Sequence, residues 1–206
     1  MKRGKINFRL LVITDRKLAK DSLEKIIGNC VKSGVKAIQL REKDLPSNEL
    51  LRLTRKLRKT VKGNLIINDR LDIALLSNAN GVHSPEKGID AEYIKRYNKN
   101  FQAGKSVHSI KQAVNAEKVG FDYILFGPVF RTPAKVKYGS PQGLEKLKKV
   151  CNSVNIPVFA VGGIIPMRVR KCINVGAHGV AVIGAVMKSN NVKKTIGVFK
   201  DELGVL

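Results

Sequence analysis

The sequence of 206 residues contains no tryptophan, only four tyrosines and only three cysteines. Because Cys30, Cys151 and Cys172 are far apart and lack CxxC spacing, a disulfide scaffold and a cysteine zinc site are both disfavoured. No apolar run approaches the roughly 18–20 residues of a membrane span, and the basic start lacks the apolar segment of a signal peptide. We therefore expect a cytoplasmic protein without a membrane segment.

Acidic residues are also scarce, since 16 Asp and Glu are outnumbered by 39 Lys and Arg, which gives a formal net charge of +23. This balance favours polyanionic partners such as nucleic acid or phosphorylated metabolites. The basic residues are spread along the chain, and the aromatic residues are too few for the stacking platforms of single-strand binding. The sequence therefore disfavours nucleic acid as a partner. A nucleic-acid-binding or regulatory protein is a distant alternative to an enzyme that binds phosphorylated metabolites.

What the sequence does contain is a regular alternation of short apolar runs and amphipathic helical stretches. Eight runs predict strands: Leu10–Thr14, Ala37–Leu40, Leu65–Asn68, Gly81–His83, Gln102–Val107, Tyr123–Phe126, Pro157–Ala160 and Gly179–Ile183. Because these runs are almost continuously apolar, they are typical of parallel strands that are buried on both faces. Eight strand–helix units predict an α/β protein, a single-domain (β/α)8 TIM barrel over residues 1–206. A doubly wound open sheet is the alternative, although no GxGxxG follows the first strand.

The helical stretches show the expected 3.6-residue periodicity. Leu50, Leu53 and Leu57 share one face of a predicted helix, with Arg and Lys on the other face. Ser47 and Ser109 precede helical stretches and are predicted N-caps.

Polar residues and glycines close nearly every predicted strand, at the end where parallel barrels carry their active sites. Gln39, Arg41 and Lys43 alternate along one run, which would direct all three into the mouth of the barrel. Two cations and an amide suit a phosphate or diphosphate. The alternative is a set of ion pairs among Arg41, Glu42 and Asp44.

Glycines end the seventh and eighth predicted strands, at Gly162-Gly163 and at Ile183-Gly184. Glycine lets backbone N–H groups approach an anion, and phosphate sites at these two positions recur in this fold. Tight turns alone would also explain these glycines. The loop that carries Thr132 and Lys135 is long and basic enough to cover an anionic ligand. The alternative is a solvated loop with no role in binding.

Two further strand ends carry candidate metal and proton-transfer groups. Asn68-Asp69 is the best magnesium candidate, because one carboxylate can hold the ion together with waters and substrate phosphates. The alternative is that Asp69 caps the following helix. His108, two residues after Ser106, is a candidate general acid and base, with a structural role as the alternative. His83 is predicted to be structural.

In their order and spacing, the motifs of this chain resemble those of the thiamine-phosphate synthase and TenI-type thiazole tautomerase superfamily. The matching segments are Val12–Asp15, Ala37–Asp44, Ile66–Asp72, Gly81–His83, Ser106–Ser109, Asp122–Phe130, Pro141–Leu144 and Ala160–Ile164. The resemblance implies a (β/α)8 barrel that binds a phosphorylated thiazole. In the synthases, a pyrimidine diphosphate ionises and the thiazole nitrogen attacks the carbocation, while magnesium and basic residues hold the departing diphosphate.

The resemblance also implies roles for individual residues of this chain. Those expected to bind the diphosphate or the pyrimidine are Gln39, Arg41, Lys43, Asn68, Thr132 and Lys135, and Ser106 joins the substrate-binding set. Gly162, Gly163, Ile183 and Gly184 would bind the thiazole phosphate through backbone groups. Asp69 would be a magnesium ligand only if the chain is a synthase.

One departure from the synthase pattern decides our first hypothesis. After the Gly-Val-His of strand four, synthases carry an aspartate that is the second magnesium ligand, and Gly88 stands in its place here. Glu86 or Asp90 could replace that aspartate only in a rebuilt loop. In lacking this aspartate, the chain is similar to the tautomerases. These isomerases aromatise a thiazole carboxylate phosphate with one histidine and without a metal, and the resemblance assigns that histidine to His108.

A tautomerase is therefore our first prediction. A magnesium-dependent synthase, a transferase that also takes a pyrimidine diphosphate, is the alternative, and a homo-oligomer is left open.

Overall fold

A computed structural model describes residues 6–132 and 140–205 of the chain. Eight parallel strands form a closed barrel in chain order, and the last strand pairs with the first. The strands are β1 (Leu10–Ile13), β2 (Ala37–Leu40), β3 (Asn64–Asn68), β4 (Gly81–Ser84), β5 (Gln102–Val107), β6 (Tyr123–Phe126), β7 (Val158–Val161) and β8 (Gly179–Val182). Each predicted strand overlaps the observed one with its ends within one residue.

Helices connect the strands and surround the barrel. They are α1 (Leu23–Lys32), α2 (Ser47–Thr60), α3 (Leu71–Leu76), α4 (Ala91–Tyr97), α5 (Ile110–Lys118), α6 (Gly143–Cys151), α7 (Pro166–Asn174), α8 (Gly184–Met187) and α9 (Val192–Leu203). The predicted (β/α)8 barrel is confirmed, and the open sheet is wrong because β8 is paired with β1.

The strands are buried on both faces, which explains why their sequences are apolar without alternation. Side chains that point into the barrel, among them Leu11, Ile66, Tyr123 and Phe159, form an inner core. The outward side chains pack against the apolar faces of the helices, such as Leu50 and Leu57 of α2. The rigid barrel therefore fixes the positions of the residues that follow each strand.

Of the two predicted N-caps, one is confirmed and the other is wrong. Ser109 caps α5, since its hydroxyl accepts a hydrogen bond from the Gln112 N–H at 3.2 Å. The prediction for Ser47 is wrong, because α2 begins at Ser47 itself after Pro46. The Ser47 hydroxyl accepts instead from Arg70 Nη2 at 2.9 Å, and so ties α2 to the end of β3.

Within the described ranges, no helix combines the length and the hydrophobicity that a membrane crossing requires.

Candidate active site

The floor of the barrel mouth is a set of hydrogen-bonded side chains on the inner faces of β2 to β5. Gln39 Nε2 donates to Asn68 Oδ1 at 3.1 Å, and His83 Nε2 lies 2.8 Å from Ser106 Oγ. The second amide atom, Gln39 Oε1, is buried and has no hydrogen-bond partner among the residues that the structure describes. The floor is therefore ordered and presents an unused acceptor.

His83 is a structural member of this floor, as predicted. It is 1% exposed, and burial lowers its pKa to about 3, with the nearby charges of Lys105 and Arg41 acting in the same direction. The imidazole is therefore neutral near pH 7 and orients the Ser106 hydroxyl.

Arg41 follows β2 and is anchored through its backbone. Its N–H donates to Thr14 Oγ1 at 2.9 Å, and the Thr14 hydroxyl donates to Glu42 Oε1 at 2.6 Å. The buried Glu42 carboxylate also accepts the Arg16 N–H, so one buried acid joins the loops that follow β1 and β2. Among the described residues, no carboxylate lies within 4.0 Å of the Arg41 guanidinium, which remains available to a ligand.

The ion pairs in this region differ from those that the sequence suggested. Arg16 pairs with Glu42 at 3.3 Å and with Asp44 at 2.5 Å, and its hydrogen bond is the main cause of the lowered pKa of Asp44. The predicted pairing of Arg41 with these two acids is therefore wrong. Arg16 lies too far away along the chain for a spacing rule to have identified it.

The expected alignment of Gln39, Arg41 and Lys43 along one strand face is also wrong. β2 ends at Leu40, and Lys43 lies in a turn with its side chain exposed. The two-residue alternation therefore stops before Lys43, because it belongs only to extended backbone. A role for Lys43 in substrate binding stays a prediction.

Asp69 occupies an unusual backbone position at the end of β3. Its φ is 65°, in the left-handed region, and its N–H donates to the His83 carbonyl oxygen at 2.9 Å. Helix α3 starts after Arg70 and has no side-chain cap, so the prediction that Asp69 caps this helix is wrong. Non-glycine residues in this conformation concentrate at functional sites. Asp69 is thus the exposed carboxylate best placed to reach a ligand at this strand end.

The loop after β4 is built around the absence of a side chain at Gly88. A Cβ at this position would lie 2.5 Å from Ser84 Oγ and 2.6 Å from Pro85 Cδ. Lys105 Nζ donates to the Gly88 carbonyl oxygen at 2.9 Å and lies 4.0 Å from an Asp90 carboxylate oxygen. A cation therefore stands beside the place where synthases carry their second carboxylate.

The two candidate replacements for that carboxylate have other partners. Glu86 Oε1 accepts from Gln112 Nε2 at 2.6 Å, and Asp90 lies near Lys105. Within residues 6–132 and 140–205, no group of three or more His, Cys, Asp and Glu could hold a metal ion. Of the three candidate carboxylates Asp69, Glu86 and Asp90, only Asp69 lacks a partner among the described residues, so these residues do not fit a two-carboxylate magnesium site.

His108 is oriented from two sides. Its Nδ1 donates to the Gly127 carbonyl oxygen, and its backbone N–H donates to Gln112 Oε1 at 2.7 Å. Because a carbonyl oxygen only accepts, the neutral ring carries its proton on Nδ1 and presents the Nε2 lone pair. Nε2 lies 3.8 Å from a Glu86 oxygen, and one third of the side chain is exposed. This geometry suits a general acid and base that is open to a ligand.

The two glycine turns lie side by side because β7 and β8 are paired. Gly162 and Gly163 have φ values of 93° and 65°, and a Cβ on Gly162 would lie 2.5 Å from Pro128 Cβ. Ile183 precedes α8, and Gly184 opens it, where the first N–H groups have no intrahelical acceptor. The turn after β7 therefore requires glycine, whereas a Cβ on Gly184 would meet no atom within 4 Å. Both turns are suited to an anion.

The remaining predicted ligands are in the loop after β6. Thr132 is half-buried at the end of the first described range. Lys135 lies outside the described residues, and its role stays a prediction.

Sequence reasoning missed the contacts of three residues that shape this site. Glu42 links the loops after β1 and β2, Lys105 binds the Gly88 carbonyl oxygen, and Arg168 binds the turn after β7. Arg168 Nη1 donates to the Gly163 carbonyl oxygen at 2.6 Å. The sequence did contain a signal for Lys105. A lysine within a strand whose outer face is buried requires polar partners for its ammonium group. For Arg168 there was none, since arginine is common on exposed helix faces.

Comparison with known proteins adds an independent observation. The family model described as thiamine monophosphate synthase matches residues 10–186. A putative thiamine-phosphate synthase 2 of Aquifex aeolicus is 42% identical over 183 residues, which is 87% of this chain and 98% of that protein. The thiamine-phosphate synthase of Clostridium acetobutylicum is 38% identical over 205 residues, 95% of each chain. The solved structure of a thiamine phosphate pyrophosphorylase from Pyrococcus furiosus is 34% identical, covers 96% of each chain and superposes with a TM-score of 0.87. The chain therefore belongs to the thiamine monophosphate synthase family.

Proposed function

We propose that this protein is a thiamine-phosphate synthase, which joins hydroxymethylpyrimidine diphosphate to a thiazole phosphate and releases diphosphate. The observation that carries this proposal is the Arg41 guanidinium, which has no carboxylate partner among the described residues and follows the strand whose Gln39 side chain pairs with Asn68. A tautomerase has no diphosphate for such a set to bind. The two relatives from Aquifex aeolicus and Clostridium acetobutylicum carry the name thiamine-phosphate synthase, the former as a putative one, so this function ranks first and the tautomerase second.

The barrel order explains how the two substrates would meet. Gln39 and Asn68 lie at the carboxyl ends of β2 and β3, and Arg41 directly follows β2, while the two glycine turns follow β7 and β8. Only β1 separates β8 from β2, so a diphosphate at the first set and a thiazole phosphate at the turns lie on neighbouring parts of one mouth. Holding both reactants there lowers the entropic part of the barrier.

Arg41 has a defined part in this proposal. Bond cleavage leaves negative charge on the departing diphosphate, and a fixed guanidinium stabilises that charge without reorganising. Its backbone is already held by Thr14. Magnesium is the cofactor that the synthase proposal implies, with Asp69 as its candidate ligand. Because the second carboxylate is absent, we derive no step through the ion.

A direct assay tests the proposed function. Purified protein is incubated with hydroxymethylpyrimidine diphosphate and thiazole phosphate, with and without Mg²⁺, and thiamine phosphate is quantified by chromatography. We expect thiamine phosphate and diphosphate in equal amounts. A lack of product, while a known synthase converts the same substrates in parallel, would refute the proposal.

The tautomerase remains the second candidate because of the orientation of His108. With the Nδ1 proton donated to Gly127, the Nε2 atom is free to take a proton from the ring carbon and to return it to the exocyclic carbon. If this activity is present, His108→Ala should lower the tautomerisation rate by about 10²- to 10⁴-fold, because that is the usual contribution of a general acid and base. Binding of thiazole phosphate to the variant is the control and should be unchanged. Substantial residual tautomerisation would exclude His108 as the proton carrier.

A further inference from the structure

The turn after β7 holds two consecutive peptide groups in a fixed orientation. The Gly162 carbonyl oxygen accepts from the Phe130 N–H at 3.0 Å, and the Gly163 carbonyl oxygen accepts from Arg168 Nη1 at 2.6 Å. A trans peptide is planar, so the N–H that follows each carbonyl points the opposite way. The N–H groups of Gly163 and Ile164 are therefore directed away from Phe130 and Arg168.

These two N–H groups make no hydrogen bond to the residues that the structure describes, and Ile164 is only 5% exposed while Gly163 is half-buried. Buried backbone donors are almost always paired, so the unpaired donor at Ile164 indicates an external acceptor, which the neighbouring Gly163 N–H can share. An anion with several oxygens, such as a phosphate monoester, meets this requirement.

Arg168 is held in place by more than one contact. It lies in the first turn of α7, and its guanidinium carbon stands 4.7 Å from the centre of the Phe130 ring. Phe130 is also the residue whose N–H holds Gly162. One arginine–aromatic pair thus fixes both carbonyl groups of the turn.

The charge of Arg168 acts on the same peptide from its carbonyl side. A charge-assisted hydrogen bond to a carbonyl polarises the peptide group and makes its N–H a stronger donor. Through this bond the guanidinium strengthens the Ile164 N–H without touching a ligand on the other side. A neutral residue at position 168 would lose both the orientation and the polarisation.

We infer that Arg168 is a positioning residue for substrate phosphate: by holding the Gly163 carbonyl it directs the Ile164 N–H at the phosphate of the thiazole, beside the Gly163 N–H that the Phe130 contact to Gly162 orients. The inference rests on the proposed function and deepens it, because it assigns the preference for a phosphorylated thiazole to a residue outside the predicted binding set.

The test compares a phosphorylated ligand with its unphosphorylated counterpart. Arg168→Met keeps an unbranched side chain over Phe130 but removes the donor and the charge. We expect its Kd and KM for thiazole phosphate to rise roughly tenfold, as for the loss of one charged hydrogen bond, with kcat within about twofold. Its Kd for the unphosphorylated thiazole alcohol should stay at the wild-type value, and Arg168→Lys should recover part of the lost affinity.

Arg170→Met is the matched control, because Arg170 lies on the same helix, is 70% exposed and pairs with Glu202 at 2.9 Å. It should bind both ligands as the wild type does. An equal loss for both ligands in Arg168→Met, or no loss for either, would overturn the inference while leaving the proposed function intact. A wild-type protein that does not bind thiazole phosphate in calorimetry would overturn both.

Discussion

An Arg41→Ala variant is expected to form thiamine phosphate with kcat/KM lowered by about 10²- to 10³-fold, since removal of one partner of a desolvated charge pair costs several kcal/mol. Arg41 is half-buried, has no carboxylate partner among the described residues, and lies close enough to His83 to lower the pKa of that imidazole. The positive charge of Arg41 therefore lies within electrostatic reach of the barrel mouth, where it can stabilise an anionic ligand. The measurement is steady-state kinetics with the pyrimidine diphosphate as the varied substrate.

Arg52→Ala provides the control for this variant. Arg52 is an exposed arginine of α2, and its loss changes the net charge of the protein by the same amount. The control should retain wild-type kinetics, and Arg41→Lys should recover only part of the activity because lysine lacks the guanidinium fork. An Arg41→Ala variant with less than a threefold loss would show that Arg41 does not bind the diphosphate.

Gly104→Ala is expected to lower the free energy of unfolding by about 2–4 kcal/mol and the melting temperature by about 5–15 °C. A Cβ at this position of β5 would lie 2.6 Å from His83 Nδ1 and still closer to the Tyr123 ring. Tyr123 cannot move aside, because its ring packs edge-on against Phe159 at 5.7 Å inside the barrel. Urea unfolding followed by circular dichroism measures the change.

Gly197→Ala is the matched control for this loss of stability. Gly197 lies within α9, and a Cβ there would meet no atom within 4 Å. Alanine is the better helix former, so this variant should gain about 0.5–1 kcal/mol. If Gly104→Ala unfolds at the wild-type urea concentration, the inner core is looser than the packing of Tyr123 implies.

The fold could be predicted from the sequence because its main signal is local. Strands buried on both faces are mostly apolar without alternation, and the helices between them repeat their apolar residues every three or four positions. Eight such units in one chain leave few arrangements, and the barrel follows from the count. The same local reasoning placed Gln39, Asn68 and His108 at the carboxyl ends of their strands, where the structure also has them, and their binding and catalytic roles stay predictions.

The contacts between loops could not be predicted, because they join residues that are distant in the chain. Arg16 pairs with Glu42 26 positions away, and the Phe130 ring lies under Arg168 from another loop. No spacing rule covers such pairs. The prediction for Lys43 failed for a related reason, since strand alternation was extended past Leu40, where the chain already turns.

Gly88 illustrates a different limit of sequence reasoning. The sequence showed that the expected aspartate is missing, but not that Ser84 and Pro85 close the space in which its side chain would stand. The structure describes a loop that leaves no room for a side chain at position 88, with Lys105 Nζ bound to its backbone. Our first prediction of a tautomerase rested mainly on this one position, whereas relatives that match nearly the whole chain carry the name thiamine-phosphate synthase.

The Thr14–Glu42 hydrogen bond orders the loops after β1 and β2 during folding, before substrate binds. Because the same hydroxyl also accepts from the Arg41 N–H, the loops after β1 and β2 lose their conformational freedom when the chain folds. In these two loops, substrate then meets a backbone that is already in place, so binding has to immobilise only their side chains. In an evolving sequence, Thr14 and Glu42 are consequently constrained both by protein stability and by substrate affinity, although neither needs to touch the substrate.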